Sequence, residues 1–225
     1  MKTFIATITL LTIWINIGFC QILPESKEAY DMKKAGLINV QSLDATIVVE
    51  LKYASSDNFL KTNVYGTLRE AYLQPDAAEK LVKAQKILKS EHPNLSIIVY
   101  DAVRPRSVQQ KMWDIVRNTP DRKYVSSPGR ISMHSYGVAA DVSIIDENGI
   151  PIDMGAGFDE FSEISEPRHE KRFLQEKKLT QQHIDNRNIL RNAMTKAGYT
   201  YIQNEWWHFQ SESRDSAARK YEPID

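Results

Sequence analysis

Ser132-Met133-His134-Ser135-Tyr136-Gly137-Val138-Ala139-Ala140-Asp141 is the stretch from which the rest of the chain can be read. From Gly137 onward the residues alternate. Ala139, Asp141, Ser143 and Ile145 fall on one face, and Val138, Ala140, Val142 and Ile144 on the other. A period of two predicts a strand. Asp141 stands on it among small and apolar neighbours, where a lone carboxylate would be costly to bury in its charged form. A divalent cation removes that cost. His134 precedes the strand, and Gly137 between them permits a tight bend or a close backbone approach.

A second stretch complements the first: Glu205-Trp206-Trp207-His208. Two imidazoles and one carboxylate form a usual ligand set for a catalytic zinc, because they leave the fourth tetrahedral position open to water. A spare carboxylate is then a candidate general base. Tyr199–Ile202 and Trp206–Phe209 are rich in strand formers. Residues three apart on an ideal strand face opposite sides, so Glu205 and His208 can serve one site only if a bend, bulge or turn lies between them. Either stretch alone is a short motif with a high chance of being an ordinary polar pair. It is their complementary ligand sets that make the pair specific.

The pattern Ser132-x-His134-x-x-Gly137-x-Ala139-x-Asp141 followed by Glu205-x-x-His208 resembles the zinc-binding signature of the D-alanyl-D-alanine metallopeptidases. Within that superfamily the chain is similar to the D-Ala-D-Ala dipeptidases, including the vancomycin-resistance type. Further blocks carry the resemblance in the same order, from about Leu51 to Phe209. They are Leu51-Lys52-Tyr53-Ala54 with Asn58-Phe59 and Val64-Tyr65-Gly66, then Asp101-Ala102-Val103-Arg104-Pro105, then Met154-Gly155 with Phe158-Asp159-Glu160-Phe161. One departure is the residues just before Arg104, where many relatives carry a Gly or Tyr; the Arg itself is kept.

The resemblance implies one zinc ion per chain, held by His134, Asp141 and His208, with Glu205 as general base. It implies that Arg104 stabilises the oxyanion of the transition state. Tyr53 would line the substrate pocket, with Ser132, and Asp159 would meet the free ammonium of the substrate. The implied reaction is hydrolysis of D-Ala-D-Ala to two D-alanines in peptidoglycan metabolism. Taken singly, these residues have plainer readings: Arg104 as a surface ion pair, Asp159 as a solvated loop acid, Tyr53 as packing. Two other functions stay open. One is a D,D-carboxypeptidase that trims the terminal D-Ala from murein stem peptides with the same metal site. The other is an inactive zinc-binding module, against which Glu205 and Arg104 argue, since structural zinc needs neither.

The 225 residues suit one domain. Lys plus Arg and Asp plus Glu number 29 each, which leaves no electrostatic footprint for nucleic acid or an anionic membrane. Cys20 is the single cysteine, so the mature domain has no disulfide and no thiolate metal site. Residues 1–20 read as a signal peptide: Lys2, an apolar run from Ile5 to Ile17, and Gly18-Phe19-Cys20 before Gln21. The run is short for a membrane span, and an uncut anchor ranks second. A lipoprotein acylated at Cys20 ranks third, because Phe19 is bulky where such sites take a small residue. The expected product is an exported, periplasmic domain over residues 21–225, with no stable membrane span.

Along that domain, residues 21–45 read as a polar arm and Thr46–Glu50 as a short strand. Asp76-x-x-Glu79 reads as a capping box that opens a helix ending near Glu91. Leu95–Tyr100 is a buried strand. Arg104 is fixed before Pro105, and Ser107-x-x-Gln110 opens a helix with Val108, Met112, Ile115 and Val116 inward. Asn148-Gly149 signals a hairpin, with Ile150–Met154 returning antiparallel. Residues 162–179 read as irregular, Gln181–Lys196 as a helix stopped by Gly198, and the tail after Gln210 as frayed. The expected fold class is α+β: a single domain in which an antiparallel sheet carries the zinc site and helices pack against it. The resemblance implies the same, as the fold that D-Ala-D-Ala metallopeptidases share with hedgehog-like domains.

Overall fold

A computed structural model describes residues 25–127 and 129–225; the expected signal peptide lies outside them. Helix α1 (Lys27–Lys34) leads into strand β1 (Ile38–Asn39), helix α2 (Val40–Leu43) and strand β2 (Val48–Val49). Strand β3 (Tyr72–Leu73) precedes helix α3 (Pro75–Glu91) and strand β4 (Ser96–Asp101). Helix α4 (Arg106–Val116) is followed by a long loop and strand β5 (Ala139–Ile145). The chain then runs through helices α5 (Glu170–Gln175) and α6 (Gln181–Ala197), strands β6 (Thr200–Tyr201) and β7 (His208–Gln210), and helix α7 (Arg214–Lys220).

The main sheet has the order β2-β4-β5-β7-β6, and β1 pairs with β3 in a separate ribbon. The expectation of an antiparallel sheet needs correction. β4, β5, β7 and β6 pair antiparallel, but β2 lies parallel to β4, so the sheet is mixed. A parallel neighbour needs a long crossover, and the segment between β2 and β4 supplies one in α3. All seven residues of β5 are buried, because the strand is covered on both sides. Val99, Val142, Ile144 and Phe209 belong to the main core with Leu81, Leu88, Leu190 and Met194 of helices α3 and α6. Asp141 faces the other way and lines the site cavity.

Helix boundaries follow backbone chemistry more closely than the side-chain motifs. α3 starts at Pro75 with Gln74 as N-cap, not at an Asp76 cap. Proline suits the first helical position because its fixed φ and missing N–H cost nothing there. α4 likewise starts at Arg106 behind Pro105, with no side-chain cap from Ser107. Val108, Met112 and Val116 are buried on α4, whereas Ile115 is 43% exposed, one position off that stripe. α6 runs from Gln181 and stops at Gly198, as the sequence reading expects, and a Thr180–His183 capping box opens it.

Both ends of the domain are more ordered than their composition suggests. The expected arm buries Ala29, Met32, Leu37 and Val40 in the core. The expected fraying tail forms α7, capped by Ser213 and packed through Ala217. Ile224 then accepts from Arg106 N at 2.8 Å and donates to Ser135 O at 2.7 Å, which ties the start of α4 to the turn that carries His134. The hairpin turn at Asp146–Ile150 is present, but its return strand is a single bridge, Ile145 to Pro151. A proline cannot donate to a ladder. Residues 162–179 are not irregular throughout: two 3₁₀ turns lead into α5.

Candidate active site

Three neighbouring strands set one row of side chains. Asp101 on β4 lies opposite Asp141 on β5, and Asp141 lies opposite His208 on β7. Simple alternation would not give the first pairing. Val99 faces the helical core opposite Val142, and Asp101, two residues on, would share that face. The β4–β5 register shifts between Val99 and Asp101. One extra residue in a strand reverses which face the following side chains take, so the irregularity at Tyr100 brings Asp101 beside Asp141.

His134 reaches the row from a 3₁₀ turn, His134–Tyr136, just before β5. Gly137 closes that turn at φ +70, and a Cβ there would stand 3.1 Å from Leu37 Cδ2. Both the conformation and the close approach suit glycine. Ser132 Oγ accepts from His134 N at 3.3 Å, so Ser132 also braces the turn. His134 Nδ1 donates to Ala102 O at 2.7 Å. That contact fixes the tautomer and leaves the Nε2 lone pair toward the site.

The result is a compact donor group. His134 Nε2 lies 3.2 Å from His208 Nδ1 and 3.4 Å from Asp141 Oδ1, and His208 Nδ1 lies 3.0 Å from Asp141 Oδ1. Tetrahedral ligands bound at roughly 2.0–2.1 Å stand about 3.3 Å apart. His134, Asp141 and His208 therefore fit one small divalent cation in donor type and spacing, and they form the one such group among the described residues. The three residues are buried, so the group is shielded from competing water.

Arg104 occupies the loop between β4 and α4. Its Nε donates to Asp101 Oδ2 at 3.0 Å, and Nη2 makes a short contact with the same oxygen. Nη1 donates to Gln109 Oε1 at 3.1 Å. One hydrogen on each terminal nitrogen remains, and Nη2 is 3.9 Å from Asp141 Oδ2. Asp101 is 0% exposed and also accepts from Tyr65 OH and, at 3.0 Å, from Ala102 N. Asp101 thus neutralises Arg104 locally, which leaves Asp141 without a permanent cation of its own. Breaking so buried a pair by removing one partner costs about 3–5 kcal/mol.

Glu205 precedes β7. The backbone bends at Gln203–Asn204 and again at Trp206–Trp207, and the strand starts only at His208. Strand alternation therefore does not apply across Glu205–His208, and Glu205 Oε2 comes within 4.0 Å of His208 Nδ1. Its side chain is 23% exposed. Burial raises its carboxyl above the ordinary glutamate range, and the charge of Asp141 adds to the effect.

Asp159 approaches from the loop after the hairpin. It holds a left-handed backbone, φ +58, uncommon for a residue with a side chain. Tyr53 OH donates to both of its carboxylate oxygens at 3.0 Å. Burial, and then the charge of Asp159, pushes the Tyr53 phenol up, so it stays a donor. The Asp159 carboxyl is itself raised well above its usual range, first by burial and then by Asp141.

Every residue singled out from the sequence lines one cavity of about 1050 Å³: Tyr53, Arg104, Ser132, His134, Asp141, Asp159, Glu205 and His208. The sequence reading missed Asp101, Tyr65 and Gln109 as the frame around Arg104. The signal for Asp101 was available: a carboxylate ends a mostly apolar strand three residues before an arginine. Tyr65 and Gln109 lie far from Asp101 in sequence or on another element, and no spacing points to them. The aromatic border of Phe59, Tyr124, Phe161 and Trp207 was also not foreseen.

Comparison with known proteins places this geometry. Residues 33–223 match the peptidase M15 family model described as D-ala-D-ala dipeptidase. A protein of Escherichia coli (strain K12) named D-alanyl-D-alanine dipeptidase is 34% identical over 174 residues, covering 77% of this chain and 83% of the relative. One of Synechocystis sp. (strain ATCC 27184 / PCC 6803 / Kazusa) with the same name is 30% identical over 167 residues, covering 61% of this chain and 68% of the relative. The family match spans the strands, the turn and the loops that build the site, so this chain belongs to the peptidase M15 family of D-Ala-D-Ala dipeptidases.

Proposed function

We propose that the protein hydrolyses D-Ala-D-Ala to two D-alanines with one zinc ion held by His134, Asp141 and His208. The observation that carries this reading is the convergence of that donor group, Glu205, Arg104 and the Asp159–Tyr53 pair on a single cavity. Two imidazoles and a carboxylate suit zinc and leave a position open. The ion would supply Lewis acidity and a water acidified to a pKa of roughly 7.

The chain's own groups account for the rest. Glu205, with its raised carboxyl, accepts the proton of the attacking water and delivers it to the leaving amine. Arg104 is held rigid by Asp101 and Gln109, and its remaining hydrogens stabilise the oxyanion that develops on the scissile carbonyl. Asp159 and Tyr53 receive the substrate ammonium, and Ser132 lines the same pocket. An arriving ammonium favours the ionised form of Asp159, so the contact becomes charge-assisted when the substrate binds.

A carboxypeptidase needs no partner for a free ammonium. An inactive zinc module needs neither Glu205 nor Arg104. Release of D-alanine by the metal-loaded protein, assayed on D-Ala-D-Ala and on N-acetyl-D-Ala-D-Ala, separates these readings. Cleavage of the free dipeptide alone supports the proposal. Comparable rates on both would favour the carboxypeptidase, and no release with stoichiometric zinc would favour the inactive module. The domain proposed for this work is residues 21–225, exported to the periplasm after removal of residues 1–20, where murein-derived peptides are within reach. Mass determination of the mature N-terminus tests that part.

A further inference from the structure

The loop that carries Asp159 has no strand to hold it. It runs from Asp153 to Ile164, beyond the single bridge at Pro151. A loop acid on irregular backbone is useful for recognition only if something outside the loop sets its position.

One side chain does so from both ends. Arg187 is 2% exposed, inside α6, and does not line the cavity. Its Nε donates to Met154 O at 2.8 Å, at the start of the loop. Its Nη2 donates to Ile164 O at 3.0 Å, at the end. Nη1 pairs with Glu170 Oε1 at 3.3 Å, an oxygen that Arg191 Nη2 also reaches at 2.7 Å. The preceding residue helps: Asn186 Nδ2 donates to Asp153 O at 2.7 Å. Gly155 packs so tightly against the start of α6 and the residues just before it that an added Cβ would lie 2.4 Å from Leu179 Cδ2 and 2.5 Å from His183 Nδ1.

We infer that Arg187 is a positioning residue for substrate recognition: its guanidinium ties Met154 and Ile164 together and thereby sets where Asp159 meets the substrate ammonium. The inference rests on the role given to Asp159 above. A buried arginine that served only packing would not need to span the two ends of a loop, since an apolar side chain of similar volume fills space without the cost of burying charge. The planar fork is what allows two carbonyls and a carboxylate to be served at once, and lysine cannot reproduce it.

The test compares wild type with Arg187→Lys, both zinc-loaded, on D-Ala-D-Ala and N-acetyl-D-Ala-D-Ala. Displacing a recognition group by about 1 Å can cost up to ~100-fold. The expected result for Arg187→Lys is a KM for the free dipeptide raised roughly 10- to 100-fold, kcat little changed, zinc content unchanged, and the preference for the free over the acetylated dipeptide reduced by a similar factor. A folded, zinc-loaded Arg187→Lys with wild-type preference and KM overturns the inference, even if its melting temperature is lower. Should Arg187→Lys fail to fold, Asn186→Ala removes the Asp153 tether, together with a contact from Gln182 within α6, and leaves Arg187 in place. It is expected to shift KM and preference in the same direction by roughly 3- to 10-fold, and no shift in it likewise overturns the inference. Failure of the underlying reading looks different: the wild-type protein itself would show no preference between the two substrates.

Discussion

His134, Asp141 and His208 stand on or beside adjacent strands, whereas Asp159 stands on a loop that no strand supports. The two ends of the cavity are therefore built on different principles. At the metal end, antiparallel pairing puts Asp101, Asp141 and His208 in one row, and each neighbour is placed by backbone hydrogen bonds. At the other end, Asp159 is placed by side chains: Tyr53 holds its carboxylate, and Arg187 with Asn186 holds its loop. Strand-borne groups are held to small tolerances because moving one disturbs a ladder, while a loop-borne group is only as fixed as its tethers. On the function proposed above, the chemistry common to metallopeptidases is on the stiff side, and the choice of substrate is on the side that single side chains can retune.

Substitutions can break or sharpen this contrast. The largest loss is expected at the strand end from His208→Ala, because the bound ion goes and its Lewis acidity and acidified water go with it. Metal analysis of the purified variant should show zinc well below one per chain, together with loss of D-alanine release. Near-stoichiometric zinc in that variant would remove His208 from the ligand set.

Glu205→Gln comes next. It keeps the shape of the side chain and the three ligands, so zinc should be retained while turnover falls ~100- to 10,000-fold. Steady-state kinetics beside metal analysis separates this outcome from ligand loss. Near-normal turnover would assign the proton transfer to another group.

At the loop end, Asp159→Ala should lower kcat/KM for the free dipeptide roughly 10- to 100-fold through the lost charge-assisted contact. It should leave zinc content unchanged and shrink the preference over N-acetyl-D-Ala-D-Ala. An equal loss on both substrates would make Asp159 part of the general architecture and dissolve the contrast. The smallest effect is expected from Tyr53→Phe, which removes one donor to the Asp159 carboxylate but keeps the ring over Arg104, 5.1 Å from its guanidinium carbon. A rise in KM of up to about tenfold with kcat unchanged is the expected result. A fall in kcat alone would place Tyr53 at the scissile carbonyl instead.

How much of this was legible beforehand follows the same division. The strand bearing Asp141, the turn with His134, the need for a bend before His208, and the helix from Gln181 to Gly198 all depend on near neighbours in the chain. Periodicity, Gly and capping residues report those neighbours directly. The α+β class and the ligand set were legible for that reason, with the family resemblance supplying the roles. The parallel edge strand β2, the register shift at Tyr100 and the frame of Asp101, Tyr65 and Gln109 around Arg104 were not. Nor were the tail strap through Ile224 and the grip of Arg187 on the Asp159 loop. Each joins residues distant in sequence or depends on which face of an element meets which partner, and local pattern carries no information about that. By itself the sequence determined the donors, their order and the local elements that present them. Only the tertiary structure decided which carboxylate neutralises which cation and what holds the Asp159 loop, because burial and long-range contact set those pairings.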